Sequence, residues 1–343
     1  MNMEFSVGMG RNLRIDEVQN HSIVAENSGF AQLTFIDSQN LCRDVYSMMT
    51  IAALNTNKIK IGHGVTTPST RHPSVTANAT ATVDELSGGR AFIGMGTGFS
   101  AVLTMGKKAR PVSELRETIQ FLHKYMNGQT ATFKNSSMNS EWIRKRVPIY
   151  IGVVGPKALQ TAGELADGVI FSGLHPEMVK WNIEQVHKGA ERIGRDPSEI
   201  ELWNRTLIYI TDRKEDAHRE VASYAGTGLM AKYQVLIRDT PEVIDLRNRI
   251  EKVQPGLLED IYKLAKVWNN YDHEKTDALH SKAVTQRMID FMHLTGKPDD
   301  ICEQIEKLEQ LGVTNISTTV FTIVDKKGMM QEIGDKIIPR FSN

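Results

Sequence analysis

Eight short β-rich runs, separated by stretches of helical pattern, constrain this chain more than any other feature. The runs fall at 4–8, 32–36, 59–65, 91–95, 148–154, 169–172, 202–210 and 315–320. Between them, at 15–27, 44–55, 73–86, 112–125, 156–165 and 177–193, apolar residues recur at three- and four-residue spacing. That is the period of a helix with one buried face. Strands alternating with helices of this length make right-handed βαβ units and a parallel sheet. Ile149-Tyr150-Ile151-Gly152-Val153-Val154 and Ile208-Tyr209-Ile210 are apolar on both faces, as strands of a sheet covered on both sides are. Eight such units fit an α/β chain closed into a (β/α)8 TIM barrel better than an open sheet.

A bare barrel takes roughly 250 residues, so about 90 are surplus here. They gather in two places. Residues 127–146 are polar and turn-rich, with Asn135-Ser136-Ser137 at their centre. A longer stretch separates strands seven and eight and is mostly helical by pattern, interrupted at Pro241 and Pro255. Lys297-Pro298-Asp299-Asp300 then opens a helix that Gly312 ends. We read 225–295 as a helical insertion beside the barrel mouth and 1–343 as one domain, because no flexible linker flanks the insertion. The two additions are the natural lids of such a site.

Composition narrows the function classes. Lys and Arg total 41, and so do Asp and Glu; a nucleic-acid binder usually has a basic excess. The densest basic spot, Lys107, Lys108 and Arg110, reads as a solvated turn. Hydrophobic residues at 40% and charged residues at 24% exclude a disordered chain. The two cysteines, Cys42 and Cys302, form no CxxC, which argues against a disulfide scaffold or zinc ribbon and for a reducing cytoplasm. No stretch reaches 18 consecutive apolar residues, so no membrane span is expected. The first residues lack the basic and apolar regions of a signal peptide. Ten histidines are scattered with no HExxH, so no metal is expected.

In barrels of this kind the active site lies at the carboxyl ends of the strands. After strand two, Asp37 either faces the site or caps the next loop. After strand three, Gly62-His63-Gly64-Val65-Thr66 lets the backbone approach a flat ligand closely. Arg71-His72 precedes Pro73, a good first helical residue, so Arg71 and His72 sit at a helix start, where either reaches a substrate or braces the loop. Asp37, His63, Arg71 and His72 are the catalytic candidates, and no pattern chooses among them. Gly94-Met95-Gly96-Thr97-Gly98 after strand four lacks the glycine spacing of a dinucleotide loop; it suits close approach to a ring system. Gly155-Pro156-Lys157 after strand five opens a helix whose free N–H groups can hold a phosphate. Ser172-Gly173 after strand six is a second small-residue opening. Most of the 15 methionines fall on apolar helix faces and read as core.

Several blocks, in order and spacing, resemble one family. Thr67-Pro68-Ser69-Thr70-Arg71-His72-Pro73, Asp84-Glu85-Leu86-Ser87-Gly88-Gly89-Arg90 and Gly94-Met95-Gly96-Thr97-Gly98 are similar to the bacterial luciferase-like flavin oxidoreductases. Val153-Val154-Gly155-Pro156-Lys157-Ala158-Leu159 and Glu164-Leu165-Ala166-Asp167-Gly168-Val169-Ile170 look like that family's second signature. The methylenetetrahydromethanopterin reductase-like branch is the nearest in pattern. The resemblance covers about 1–210 and the last βα unit. It implies FMN or the deazaflavin F420 bound at the strand ends, over a non-prolyl cis peptide at Gly64-Val65. It also implies Asp37, Thr66, Gly96 and Thr97 around the ring, and the cofactor phosphate at Val153, Val154, Gly155 and Pro156, near Ser172 and Gly173. The luciferase branch carries a histidine just after strand two; Asp37-Ser38-Gln39-Asn40-Leu41-Cys42-Arg43 has none.

The first expectation is a flavin-dependent monooxygenase acting on a small organic substrate, with reduced FMN supplied by a partner flavin reductase and O2 as co-substrate. The alternatives are an F420-dependent reductase or dehydrogenase moving a hydride at C5, and a flavin-binding barrel without turnover. A homo-oligomer, dimer or tetramer, is expected from the family.

Overall fold

The computed structural model describes residues 3–11, 13–269, 271–272, 275 and 278–342. In chain order the elements are β1 (Glu4–Met9), α1 (Ile15–Asn27), β2 (Gln32–Phe35), α2 (Val45–Asn55), β3 (Lys60–His63), α3 (Pro73–Ser87), β4 (Ala91–Met95), α4 (Ser100–Leu103) and α5 (Val112–Met126). There follow β5 (Ala131–Phe133), β6 (Ser136–Met138), β7 (Ile149–Gly152), α6 (Pro156–Leu165), β8 (Gly168–Ser172), α7 (Pro176–Arg192), β9 (Glu201–Arg205) and β10 (Ile208–Ile210). The chain continues with α8 (Lys214–Leu236), α9 (Pro241–Val253), α10 (Leu257–Ala265), α11 (Gln286–Met292), β11 (Leu294–Gly296), α12 (Pro298–Gln310), β12 (Asn315–Thr319) and α13 (Lys326–Lys336).

Strands β1, β2, β3, β4, β7, β8, β9 and β12 close a barrel, β12 pairing in parallel with both β1 and β9. The chain therefore has the (β/α)8 TIM-barrel fold, with a helical insertion between its seventh and eighth barrel strands. The helices bury the faces that their period marks out. On α5, Leu115, Ile119, Leu122 and Met126 are fully buried, each contributing about 1.5–3 kcal/mol relative to exposure. Pro73 opens α3 and Gly88, at φ 71°, closes it in the left-handed conformation that glycine adopts without a Cβ clash.

The seventh strand departs from expectation. The run 202–210 divides into β9 and β10. Thr206 still donates to the Ser317 carbonyl of the barrel. The next two amides turn to side chains: Leu207 N–H donates to His293 Nδ1 at 3.0 Å and Ile208 N–H to Thr318 Oγ1 at 2.9 Å. β10 then pairs with β11 of the insertion. The barrel strand accordingly ends at Arg205.

The two additions also differ from expectation. Helix α8 runs unbroken from Lys214 to Leu236, so the start expected at 225 falls inside it; residues 270, 273–274 and 276–277 of the expected insertion lie outside the described residues. Within 127–146, β5 and β6 form an antiparallel hairpin. Its Lys134 N–H donates to Glu117, Phe133 packs on Phe121, and Trp142 Nε1 donates to Asn78. These contacts seat the hairpin against α3 and α5. Among the described residues no helix is long and apolar enough to cross a membrane.

Candidate active site

The floor of the barrel mouth is a turn of backbone just beyond β3. The Gly64–Val65 peptide is cis, as the resemblance implied. The Val65 side chain reaches inward onto Phe92, Tyr150, Ile170 and Trp203, which fill the barrel interior. Glycines make that inward turn possible. A Cβ on Gly94 would stand 2.0 Å from the His63 carbonyl oxygen, and one on Gly96 2.8 Å from that of Gly152. A Cβ on Gly152 would meet Val65 Cγ1 at 3.1 Å. The two-residue glycine spacing after strand four is thus clearance for a neighbouring backbone and for Val65. Thr66 N–H donates to the Gly94 carbonyl at 2.8 Å and Gly96 N–H to that of Thr66 at 2.9 Å, which pins the turn to β4.

Asp37 lies beside this floor and is 2% exposed. Its Oδ2 accepts from Thr66 Oγ1 at 2.6 Å and from Arg71 Nη1 at 2.5 Å, and its Oδ1 accepts from Gln39 Nε2 at 2.6 Å. Asp37, Thr66 and Arg71 are therefore one cluster, built from the loops after β2 and β3. The Arg71 guanidinium also lies 5.1 Å from the centre of the Tyr46 ring. Burial pulls Arg71 down, but Asp37 beside it more than offsets this and holds the guanidinium above its ordinary pKa.

The two histidine candidates fall outside that cluster. His63 is fully buried beneath it, edge-on to Tyr46 at 5.1 Å, and neither ring nitrogen has a hydrogen-bond partner. Burial pushes its pKa down to about 4, partly countered by Asp37. His72 caps α3, its Nδ1 accepting from Ser74 N–H at 3.2 Å. Its ring packs edge-on against Phe133 and Phe121, on the outer layer. His63 is a neutral core residue and His72 a helix cap; neither has the reach the sequence left open.

The two small-residue segments follow the fifth and sixth barrel strands, β7 and β8. Gly155 precedes Pro156 at the start of α6, and Val153 and Val154 carry the chain there from β7. Ser172 ends β8, and Gly173 follows at φ 104°. Thr97, next to Gly96, accepts Arg110 N–H on its carbonyl at 3.0 Å.

Two cations at the mouth escaped the sequence reading. Arg205 donates from Nη1 to the Gly64 carbonyl and from Nε to Tyr224 Oη, both at 3.0 Å. Extending strand seven to 210 hid it, since the residue then falls inside a strand rather than at a strand's end. Lys232 of α8 is 5% exposed. It does have a signal: it is the one charged residue in 225–236.

The closed barrel and the glycine-framed floor at its mouth define an oxidoreductase of the luciferase-like barrel class. The family model for luciferase-like monooxygenases matches residues 3–315, and the chain belongs to that family. It is similar to the 5,10-methylenetetrahydromethanopterin reductase of Archaeoglobus fulgidus, 32% identical with 98% of this chain and 99% of that protein covered. The protein of that name from Methanolobus tindarius is 31% identical, with 94% of this chain and 95% of that protein covered. The solved coenzyme F420 dependent tetrahydromethanopterin reductase of Methanopyrus kandleri superposes with a TM-score of 0.80, at 26% identity and covering all of both chains.

These relatives overturn the first expectation. The full-length relatives above 30% identity are reductases, and a solved structure at 26% identity is F420-dependent by name. Solved monooxygenases also cover 99% of the chain, but at 15–17% identity, which shows the fold alone. The motifs that suggested the family build the barrel and the glycine-framed floor, so they cannot separate oxygen chemistry from hydride chemistry. The sequence that does differ between branches, Asp37 to Arg43, lacks the luciferase histidine. The expected supply of FMN by a partner reductase belonged to the monooxygenase reading and goes with it. The barrel without turnover gives way to an oxidoreductase.

Proposed function

We propose that the chain is an F420-dependent reductase acting on a one-carbon unit carried by a reduced pterin of the tetrahydromethanopterin type. The observation that carries this reading is the likeness to 5,10-methylenetetrahydromethanopterin reductases along 98% of the chain. The residues present fit a deazaflavin. The inward turn at Gly64-Val65 offers a backbone floor for a flat ring, bordered by Asp37, Thr66, Gly96 and Thr97. The α6 start at Gly155 and Pro156, with Val153, Val154, Ser172 and Gly173 around it, offers unpaired backbone donors and space for a phosphate. When bound, the cofactor supplies or accepts a hydride at C5.

The surrounding residues suit a reaction without a strong base. Both Asp37 oxygens are engaged by Gln39, Thr66 and Arg71, and burial keeps His63 neutral. Alcohol oxidation needs a group to take the hydroxyl proton. Hydride addition to a carbon already made electron-poor by nitrogen does not. The work left to the chain is to orient two flat partners and exclude water.

Titrating the purified protein with F420 and with FMN, each followed by its own fluorescence, tests the cofactor. Mixing reduced F420 with 5,10-methylenetetrahydromethanopterin without oxygen and following the return of oxidised F420 tests the substrate. We expect F420 to bind and FMN not to, and the pterin to be reduced. FMN binding in place of F420 overturns the reading. A cytoplasmic homo-oligomer completes it, supported by the exposed Leu54, Val75 and Leu86 on the adjoining α2 and α3; sedimentation checks the association.

A further inference from the structure

Lys232 is a charge the fold has no internal use for. Its helix is apolar around it: Leu229, Met230, Val235 and Leu236 are all buried. An ammonium has three donors. Here one is used, on the Ser172 carbonyl at 2.9 Å. No carboxylate among the described residues lies within ion-pair distance of it, and burial alone, unopposed by any charge, pulls its pKa down to about 8. A buried, uncompensated cation costs several kcal/mol, and leucine or methionine would pack the same position without that cost.

Its placement says what compensates it. A Cβ on Gly173 would lie 3.7 Å from Lys232 Nζ, and one on Gly155 would lie 3.3 Å from Val235 Cγ2. Lys232 and Val235, three apart, share a face of α8. That face lies over both small-residue openings at once. Nearby is the start of α6, ten residues long and opened by Pro156. Ala158 and Leu159 N–H donate to the Gly155 carbonyl at 3.1 and 2.9 Å, so Lys157 N–H is the first-turn amide left without an intrahelical acceptor. A compact point charge, a helix-start amide and missing Cβ atoms together suit a tetrahedral anion.

We infer that Lys232 completes the phosphate site proposed above at Gly155 and Ser172-Gly173, as the counter-ion of the phosphodiester in the side chain of bound F420. The occupant rests on the F420 reading; the phosphate chemistry does not.

The test compares the wild-type protein, Lys232→Met and Lys232→Arg in fluorescence titrations with two ligands. One is F420, the other the same deazaflavin ending at its ribityl hydroxyl, without phosphate. Lys232→Met should weaken F420 binding about tenfold to a hundredfold, the weight of one charge-assisted contact. It should leave the phosphate-free ligand unchanged, and Lys232→Arg should recover most of the loss. Equal F420 affinity in Lys232→Met, or equal weakening of both ligands, overturns the inference and leaves the cofactor reading intact. On the wild-type protein, inorganic phosphate should displace F420 and spare the phosphate-free ligand, a readout that needs no variant to fold. Lys232-dependent binding of inorganic phosphate by calorimetry, with no F420 binding at all, upholds the phosphate site and sinks the cofactor reading instead.

Discussion

Arg205 at the end of β9 donates to the Gly64 carbonyl at 3.0 Å, so the seventh barrel strand braces a turn that belongs to the third. The same guanidinium donates to Tyr224 Oη from α8 and lies 5.9 Å from the centre of the Phe321 ring. One side chain thus ties the floor of the mouth to the insertion and to the segment after β12. Replacing it with methionine removes both contacts and frees the floor. We expect Arg205→Met to weaken F420 binding by about tenfold, the weight of a hydrogen bond to a charged donor. Arg205→Lys keeps the charge but not the fork, and should fall between. Fluorescence titration beside thermal unfolding checks this; an unchanged affinity in a folded Arg205→Met protein rules the brace out.

Burial of His63 has a consequence for acid stability. Its folded pKa is depressed to about 4, below the ordinary value of about 6.5. The unfolded chain therefore takes up the proton first as pH falls. The His63 contribution is whole above about pH 6.5 and is lost as pH drops towards 4, a fall of about 3 kcal/mol. His293, pushed down to about 3 by burial, acts in the same direction. Urea unfolding between pH 7.5 and 4.5 should show the decline, and His63→Leu should flatten part of it. Because neither His63 nitrogen has a partner, the same variant should cost little near neutral pH. A variant as acid-sensitive as the parent would remove His63 from the account.

Gly96 tests whether the floor needs its clearance. An alanine there places Cβ 2.8 Å from the Gly152 carbonyl oxygen and 3.3 Å from Val65 Cγ2. The first neighbour is backbone and cannot swing aside, so β4 and β7 must part or Val65 must lift. We expect Gly96→Ala to cost about 1–3 kcal/mol of stability, typical of overpacking, and to weaken binding of the phosphate-free deazaflavin as much as that of F420. A loss confined to the phosphorylated ligand would place the damage elsewhere.

The barrel was legible in sequence because its signal is repeated: each strand–helix unit states the same two periods again. The opening at Gly155, where we propose the phosphate, was legible for a local reason, a glycine and a proline at a helix start. What failed to show depended on long-range closure. Asp37 finds Arg71 34 residues away and Arg205 finds Gly64 141 residues away, and no local pattern announces either partner. His63 and His72 looked like site residues because they border the right loops. Side-chain direction, inward to the core for one and outward onto Phe133 for the other, decided against both. Lys232 could have been found from its apolar surroundings alone, but its meaning depended on which loops α8 covers.

Gly155 separates charge from bulk at the start of α6. Its φ of −97° and ψ of 158° are open to any residue, so a side chain there strains no backbone. A Cβ meets Val235 Cγ2 at 3.3 Å, a contact that a small shift of one valine relieves. Gly155→Ala should therefore change F420 affinity only slightly. Gly155→Asp sets a carboxylate where the proposed phosphate approaches, and a like charge in a partly buried site costs several kcal/mol. It should weaken F420 by more than tenfold and the phosphate-free deazaflavin far less. Raising salt should narrow the gap between the two variants, since screening acts on the repulsion and not on the packing. If alanine and aspartate weaken binding alike, bulk is the cause and the phosphate does not lie at Gly155.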